Sequence, residues 1–435
     1  MKVTLSQPPT NRSAEIALEI YAEVLKAVHP SVLIPATVRR VGEALFIHHH
    51  HLDLSSFNNV WIAGAGKASV SMAEAIQSVM GSQIEGGLLI TPKGPVADLE
   101  GIRILQASHP YPDESSLLAG QEMLNFAQTV QHNDLVIFLL SGGASALMES
   151  LKEGVDLADL QHITRTVMNL GGNIQQLNAI RSKLSRIKAG GLTQAFSHAH
   201  VVVLVLSDVV GNDLNTIGSA PFRTPKPEHP LKGDQRSKPL LLDWNSFPPR
   251  VQELCLDPAP TNIEARDPDH FVIGDVTTAV RSAAESAERF GLTPLPYADP
   301  LKGEARDMAR KICRLALKGE IPNSVRIFGG ETTVTVTGQG NGGRAQEMAV
   351  AAAPIINYHP NLSFLSAGTD GFDGPSDAAG GLVDADSIYR ASMSVKDSLR
   401  DNNSYQFLEE SGGLIKTGPT GTNVNDLVLI VHVDH

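Results

Sequence analysis

The sequence is poor in cysteine and in aromatic residues, and it contains no long apolar run. Two cysteines among 435 residues cannot build a disulfide framework, and their scarcity fits a reducing compartment, so we expect a cytoplasmic protein. No apolar run reaches the roughly 18 residues that cross a bilayer, and the first residues have no secretory signal. We therefore expect no membrane association. There is also no internal repeat and no low-complexity tract.

Basic residues are also few relative to acidic ones. The 35 basic residues are outnumbered by 47 acidic ones, which gives a formal net charge of −12. This balance argues against nucleic acid or an anionic membrane as the partner. A small anionic metabolite is still compatible with it, because a few local cations are enough to bind one. A chain of this length predicts two or three domains.

Apolar runs that end in small or charged residues predict a parallel sheet. VWIA at 60–63 precedes GAGKA, DLVIFLL at 134–140 precedes SGGAS, and VVVLVL at 201–206 precedes Ser207 and Asp208. Fully apolar strands are typical of parallel sheets covered by helices on both faces, and ligands bind at the carboxyl ends of such strands. We therefore predict an α/β fold with a doubly wound, Rossmann-like sheet and a ligand site at Lys67, residues 141–145 and Asp208.

A proline-rich region suggests where the domains divide. Nine prolines interrupt residues 222–270, and α/β patterns continue after it. The predicted organisation is an N-terminal Rossmann-like domain at 1–225, a linker or insert at 226–270 and a smaller C-terminal α/β domain at 271–435. Helical periodicity is predicted over 14–46, 275–290 and 303–318, and strands are predicted near 292–296 and 427–433.

Residues 329–377 combine glycine loops with charged side chains. A run rich in threonine and valine, expected to be β-structure, ends in a glycine loop with Gly342 and Gly343. This loop leads through Arg344 into a helix that carries Glu347 in its first turn, and a second loop presents Asp370, Asp373 and Asp377. Glycines allow close backbone approach, helix N-termini attract anions, and carboxylates hold divalent cations. The stretch therefore predicts a site for a phosphorylated ligand with a metal.

Two further loops are predicted to bind anions. GAGKA at 64–68 lacks the P-loop spacing, but Lys67 stands where a helix begins, which is unfavourable unless an anion binds there. A solvated lysine is the alternative. The loop at 141–145 exposes backbone donors for a phosphate or a carboxylate, and it lacks the G-x-S-x-G pattern of a nucleophilic serine. Its residues are Ser141, Gly142, Gly143, Ala144 and Ser145.

Other polar residues admit two interpretations each. Asp208, at a strand end, is expected to hold a metal or accept a proton, or else to cap a turn. Arg181 and Lys188 belong to a basic cluster that would bind an anion, or else be a solvated helix face. The four histidines at 48–51 are expected to form a polar loop before a strand, since adjacent residues rarely converge on one metal ion.

Several long motifs occur in order along most of the chain, from GAGKA onward. They are ASHPYPDESS at 107–116, LLSGGASALM at 139–148, NAIRSKLSRIKAGGL at 178–192, SDVVGND at 207–213, GEAR at 303–306, GGETTVTVTGQGNGGRAQE at 329–347, AGTDGFDGPSDAAGG at 367–381 and TGPTGTNVNDL at 417–427. Together these motifs resemble the glycerate 2-kinases of the MOFRL family, a group sometimes labelled hydroxypyruvate reductase.

The resemblance implies ATP-dependent phosphorylation of the 2-hydroxyl of D-glycerate with Mg²⁺ or Mn²⁺, in a cleft between two α/β domains. It makes Lys67 and Arg344 the catalytic cations. Combined with the residue patterns, it makes Asp208 a metal ligand or proton acceptor and Asp370 a second metal ligand. ATP and D-glycerate are the expected small-molecule partners, and a homodimer is one arrangement left open.

The chain departs from the family pattern near the expected site. The departures lie at Asn212, Ala220, Phe222 and Ala345, and they leave a different hydroxy acid open as the acceptor. A reductase that uses NAD(P)H is an alternative, although no G-x-G-x-x-G fingerprint supports it. A degenerate family member that binds a nucleotide without turnover is another.

Overall fold

The computed structural model describes residues 2–170, 174–224, 242–256, 266–319 and 321–434, with the side chains of 174 and 175 left out. Most of the prolines on which the linker prediction rests lie outside these residues. Sixteen strands are described, in chain order: β1 Thr4–Leu5, β2 Val38–Val41, β3 Ala44–Ile47, β4 His50–Asp53, β5 Val60–Ala65, β6 Ile84–Pro92, β7 Ile102–Ala107, β8 Leu135–Ser141, β9 His200–Leu206, β10 Asp269–Gly274, β11 Thr293–Pro296, β12 Ser324–Gly330, β13 Leu362–Gly368, β14 Gly380–Asp384, β15 Leu414–Lys416 and β16 Asp426–His432.

The described α-helices are α1 Arg12–Ala27, α2 Pro30–Thr37, α3 Ser69–Met80, α4 Glu114–Thr129, α5 Ala144–Leu147, α6 Leu157–Asn169, α7 Ile174–Leu184, α8 Gly191–Ala195, α9 Pro249–Leu256, α10 Val276–Arg289, α11 Ala305–Lys318, α12 Arg344–Ile356, α13 Ser387–Arg390, α14 Val395–Arg400 and α15 Ser404–Glu410. Helices α10 and α11 and strands β11 and β16 lie where the sequence patterns predict them.

The chain divides into two compact units. The central unit comprises Ile34–Leu206 and Gly211–Ile273, and the terminal unit comprises Met1–Leu33, Ser207–Val210 and Gly274–His435. The predicted ranges assign residues 1–33 to the N-terminal domain, whereas these residues group with the C-terminal part of the chain. The reason is the apolar face of α1, whose buried side chains pack on α10, β13 and β16.

The central unit is built on a six-stranded sheet in the order β10-β9-β8-β5-β6-β7. Strands β5 to β9 pair in parallel, and β8 is buried along its whole length, which confirms the predicted α/β class with a parallel sheet. From β5 the chain adds β6 and β7 on one side and then β8 and β9 on the other. The strand order therefore reverses between β5 and β8, which is where open α/β sheets bind ligands.

The terminal unit has a seven-stranded mixed sheet in the order β1-β15-β14-β13-β16-β12-β11. Its central strands β13, β16 and β12 pair antiparallel over seven residues each. Helix α12 is almost entirely buried and packs against α11, β13 and β14. Its alanine-rich surface allows this close approach, since small side chains leave room for the neighbouring backbone.

Three local predictions differ from the structure. The helical pattern at 14–46 ends at Thr37, because Gly42, with φ of 58°, turns the chain into a hairpin of β2 and β3. The histidines at 48–51 do not form a simple loop: His50 and His51 begin β4. The threonine-rich run after β12 forms no strand. It contributes one isolated bridge, between Thr333 and Glu304.

The predicted linker includes ordered structure. Helix α9 lies within residues 226–270, and its Val251 and Cys255 pack with Phe247 against Leu160 and Ile180 of α6 and α7. This apolar cluster assigns residues 242–256 to the body of the central unit.

Candidate functional site

In the central unit, the loops after β5 and β8 lie against each other at the reversal of strand order. The Lys67 amide donates to the Gly142 carbonyl at 2.9 Å, and the Ala68 amide donates to the Ser141 hydroxyl at 3.0 Å. Gly66 has φ of 135°, and a Cβ there would lie 2.1 Å from the Ser141 Oγ. Only glycine allows this approach, so the sequence GAGKA sets Lys67 beside the 141–145 loop.

The same loops bring a histidine close to Lys67. A Cβ built on Gly143 would meet the His109 ring at 3.1 Å and the Lys67 Cγ at 3.4 Å. Gly143 adopts a left-handed conformation and caps the short helix α5. Lys67, His109 and the turn at Gly143 therefore form one group of side chains and amides. This proximity is what the prediction of a site at the carboxyl ends of the strands requires.

The basic cluster at 181–188 is divided between two environments. Lys188 is completely buried, and its Nζ donates to Glu149 at 2.5 Å and to the Ser145 carbonyl at 3.0 Å. Burial lowers the pKa of Lys188 to about 8, although the charge of Glu149 opposes this shift. Lys188 was predicted to bind a ligand anion directly, but its ammonium group faces the protein interior.

Arg181 lies closer to the surface than Lys188 and is partly exposed. Its Nε is buried and has no hydrogen-bond partner among the described residues. Burial also lowers the pKa of Arg181, with Glu149 opposing the shift. A buried guanidinium nitrogen without an acceptor is costly, so Arg181 has the capacity to receive an anionic group.

The departures at 220 and 222 are explained by packing in the central unit. Phe222 is fully buried, and its ring lies 4.7 Å from that of Phe138 and 6.0 Å from that of Phe196. Ala220 is 4% exposed and holds a left-handed conformation with φ of 58°. Phe222 therefore belongs to the core, and its size gives no reason to expect a different acceptor.

In the terminal unit, Arg344 is the first residue of α12 and is held by two carboxylates. Its Nε and Nη2 donate to Asp426 at 2.6 and 3.1 Å, and its Nη1 lies 2.6 Å from Glu331. Burial alone would lower the pKa of Arg344, but Asp426 and Glu331 outweigh it and the pKa is raised. The side chain is still 35% exposed, so the fixed guanidinium has one open side.

The N-terminus of α12 is capped from within the unit. The Asp373 carboxylate accepts hydrogen bonds from the amides of Ala345 and Gln346 at 3.1 and 2.8 Å. A Cβ on Gly343 would lie 2.3 Å from Asp373, so this approach requires glycine. Burial, reinforced by Asp426, raises the pKa of Asp373 to about 7. The amides that were expected to attract a ligand anion are thus already bound by an internal carboxylate.

A buried tyrosine connects the acidic residues near Arg344. The Tyr21 hydroxyl donates to the Gly368 carbonyl at 2.6 Å. A Cβ built on Gly368 would lie 3.3 Å from the Asp370 Oδ1 and 3.4 Å from the Asp426 Oδ1. Burial raises the pKa of Tyr21, and Asp370, Asp426 and Asp373 raise it further. Negative charge is therefore concentrated at this edge of the sheet, and Arg344 offsets part of it through its ion pairs with Asp426 and Glu331.

The other predicted residues are placed as follows. Asp208 accepts from the Asn423 side chain at 3.1 Å through Oδ2, and its carbonyl accepts from Asn425 at 2.5 Å. Glu347 is buried and accepts from Arg306 at 2.8 Å and Asn402 at 3.1 Å. Glu347 was predicted to contact substrate or phosphate, but these bonds commit it to an internal ion pair.

Among the described residues, no group of three or more His, Cys, Asp or Glu side chains is arranged to hold a metal ion. The histidines of β4 make aromatic contacts, with His50 and Phe271 ring centroids 5.4 Å apart. Asp377, the third aspartate of its loop, pairs with Lys416 at 2.8 Å. No helix within the described ranges has the length and apolarity to span a membrane.

Sequence patterns alone did not predict a definite role in the site for four residues: Asp426, Glu331, Tyr21 and His109. Asp426 lies 82 residues after Arg344, and Tyr21 precedes Gly368 by 347 residues. No local pattern marks such pairs. For Asp426 the available signal was a lone acidic residue at the start of a fully apolar strand, where a carboxylate needs a partner.

The fold and its two charged loops define a two-unit α/β enzyme. One unit carries a lysine loop where the strand order of its parallel sheet reverses, and the other carries a fixed arginine on a glycine loop. Residues 16–231 match the model of a domain of unknown function designated DUF4147, and residues 324–426 match that of the MOFRL family. A glycerate 2-kinase of Pyrococcus horikoshii is 33% identical, over 96% of this chain and 97% of the relative.

The solved structure of glycerate kinase from Thermotoga maritima superposes with a TM-score of 0.81 at 32% identity, over 97% of this chain and 99% of that one. A relative from Agrobacterium vitis bears the provisional name hydroxypyruvate reductase, with 34% identity over 85% of this chain and 98% of its own. The chain belongs to the MOFRL family of glycerate 2-kinases.

Proposed function

We propose that this protein transfers the γ-phosphoryl group of ATP to the 2-hydroxyl of D-glycerate, giving 2-phosphoglycerate and ADP. The observation that carries the proposal is the pairing of Lys67 with the 141–145 loop at the reversal of strand order. A cation beside a turn of backbone amides is suited to oxyanions, and positioned charge is the main requirement of phosphoryl transfer. The relatives named as glycerate kinases supply the acceptor and the donor.

In the central unit, Lys67 is proposed to neutralise charge on the phosphoryl group as the bond to ADP breaks. The amides of the 141–145 loop hold an anionic group of the substrate, because glycines leave these donors accessible. Arg181 receives the acceptor's carboxylate, since its buried Nε has no partner among the described residues. Hydrogen bonds between the Lys67 and 141–145 loops already fix the backbone from which two of these groups project.

In the terminal unit, Arg344 is the second proposed catalytic cation. Asp426 holds two of its nitrogens, which fixes the plane of the guanidinium group and lowers the entropy lost on binding phosphate. Asp208 is proposed to accept the hydroxyl proton as the new O–P bond forms. The amide of Asn423 bonds one of its carboxylate oxygens and so orients the other.

A divalent cation, Mg²⁺ or Mn²⁺, would screen the charge of the ATP phosphates. Asp208 and Asp370 offer the oxygen ligands that such ions prefer. Proteins commonly bind Mg²⁺ through one or two carboxylates together with substrate phosphates.

The test is ADP release from ATP, Mg²⁺ and D-glycerate, with the product identified by ³¹P NMR. We expect 2-phosphoglycerate, and a fall in kcat/KM of roughly 100-fold or more in Lys67→Ala and in Arg344→Ala. Lys93→Ala is a matched control, because this exposed lysine of the central unit pairs with Asp113 at the surface. Absence of turnover, or NADH oxidation with hydroxypyruvate, would overturn the proposal.

A further inference from the structure

A closed ring of contacts passes through Ser145, the last residue of the 141–145 loop in the central unit. The Lys188 ammonium donates to the Ser145 carbonyl, and the Ser145 hydroxyl lies 2.7 Å from the Ser219 hydroxyl. The Ser219 carbonyl then accepts from the amide of Ala189, the residue after Lys188. The ring therefore ties the end of the loop to two other segments of the chain.

The ion pair that anchors this ring is sealed from solvent. The side chains of Lys188 and Glu149 have no exposed surface, and Glu149 also accepts from Ser185 at 2.5 Å and from the Ser150 amide at 3.1 Å. Burying two opposite charges gives little or no net stability compared with an apolar pair of similar size. What the pair supplies is direction, because Lys188 has a fixed donor aimed at one backbone carbonyl.

We propose that Lys188 is a positioning residue, which acts with Glu149 through the Ser145 carbonyl to fix the turn that presents the anion-binding amides of the 141–145 loop. In this role Lys188 acts through the backbone of the loop and not through direct contact with a ligand. The three residues from Lys188 to Gly190 complete the support, since the Gly190 amide donates to the Ala220 carbonyl at 2.8 Å. This role rests on the proposed function of the loop and assigns a second layer of residues behind it.

The decisive variant is Lys188→Met with Glu149→Gln. It removes both members of the Lys188–Glu149 ion pair together and retains a carbonyl that accepts from Ser185 and Ser150. We expect the double variant to keep its melting temperature within a few degrees, while kcat/KM falls roughly 10- to 100-fold, as found for residues that orient catalytic groups. Wild-type kinetics in the folded double variant would refute the positioning role.

A surface ion pair gives the matched control. Arg103 and Glu122, also in the central unit, lie 2.7 Å apart with the arginine 59% exposed. The double variant Arg103→Met with Glu122→Gln loses the same charges and should retain wild-type kinetics. Should the buried double variant fail to fold, Ser219→Ala breaks the same ring at another point. A smaller fall in kcat/KM is expected for Ser219→Ala, and an unchanged kcat/KM would count against the proposal.

Hydrogen exchange separates this inference from the proposed reaction. In peptides covering residues 141–148, we expect faster amide exchange in the Lys188→Met, Glu149→Gln variant than in the wild-type protein, with unchanged exchange in β8. This readout needs no substrate. Inactivity of the wild-type protein towards glycerate, combined with faster exchange in the variant, would reject the reaction and keep the positioning role. Equal exchange would reject the positioning role whatever the reaction.

Discussion

Arg344 and Asp426 form a two-point hydrogen-bonded pair across 82 residues of the terminal unit, with donor–acceptor distances of 2.6 and 3.1 Å. The pair joins the start of α12 to the start of β16. It fixes the guanidinium plane and leaves one side of Arg344 open. A lysine at this position could keep the charge, but it could not make two parallel bonds to one carboxylate.

Arg344→Lys is therefore expected to lower kcat/KM by about 100-fold or more, close to the effect of removing an oriented donor from a transition state. The measurement is steady-state kinetics with ATP and glycerate, alongside thermal melting. Arg400→Lys is the control, since Arg400 is 71% exposed and pairs with Asp397 within its own helix. If both variants keep full activity, the guanidinium geometry has no catalytic role.

Gly66→Ala is expected to damage the central-unit site through the backbone. Its Cβ would lie 2.1 Å from the Ser141 hydroxyl and 2.5 Å from the Ser141 carbonyl, so the two loops must separate. We expect a loss of roughly 1–3 kcal/mol in the free energy of unfolding, with loss of activity. Gly42→Ala controls for the left-handed backbone alone, because no atom lies within 4 Å of its added Cβ. Urea unfolding and kinetics measure both effects, and equal behaviour of the two variants would contradict the argument.

Asp373 gives the terminal unit a pH dependence of unusual sign. Its pKa is raised to about 7 from the ordinary aspartate value of 3.8, so between these values the folded protein binds more protons than the unfolded chain. The free energy of unfolding should therefore fall as pH rises from 4 to 7, by at most about 4 kcal/mol from this group. Asp373→Asn should flatten the dependence, as measured by urea unfolding at several pH values.

Asp377 provides a control of opposite sign. The hydrogen bond from Lys416, followed by weaker effects, lowers the pKa of Asp377. Its contribution is present above the unfolded pKa and is lost as pH falls through the folded value. Asp377→Asn should thus remove a small stabilisation at neutral pH. The two substitutions should change the pH dependence of the free energy of unfolding in opposite directions, and a change in the same direction would overturn both assignments.

Ala220→Gly is expected to stabilise the central unit. Ala220 has φ of 58° and ψ of 51°, a region that costs an alanine roughly 1–2 kcal/mol and a glycine very little. After the greater chain entropy of glycine and part of the roughly 0.8 kcal/mol from the buried Ala220 methyl group are subtracted, a gain of at most about 0.5 kcal/mol remains. Ala22→Gly in α1 should instead lose about 1 kcal/mol. Denaturant unfolding measures whether the free energy of unfolding rises or falls in each variant. A fall in both variants would show that Ala220 is unstrained.

Local sequence patterns were sufficient to predict the central parallel sheet. The uniformly apolar β8 and the glycines that follow it predict both a buried parallel strand and the loop at its end. The same reasoning failed over 38–53, where short alternating segments lack the length that separates strand from helix. It also could not pair Asp373 with α12, or Asp426 with Arg344, because folding alone brings those residues together.

The location of α1 in the terminal unit has a consequence for synthesis on the ribosome. Its packing partners begin with α10, so roughly 240 further residues must be made before the helix is covered, which takes on the order of tens of seconds. During that interval its apolar stripe is open to chaperones or to misassociation. For the same reason, a fragment that starts at residue 274 would expose the surface that α1 covers. A separately expressed terminal unit should therefore carry the first 33 residues, joined by a linker.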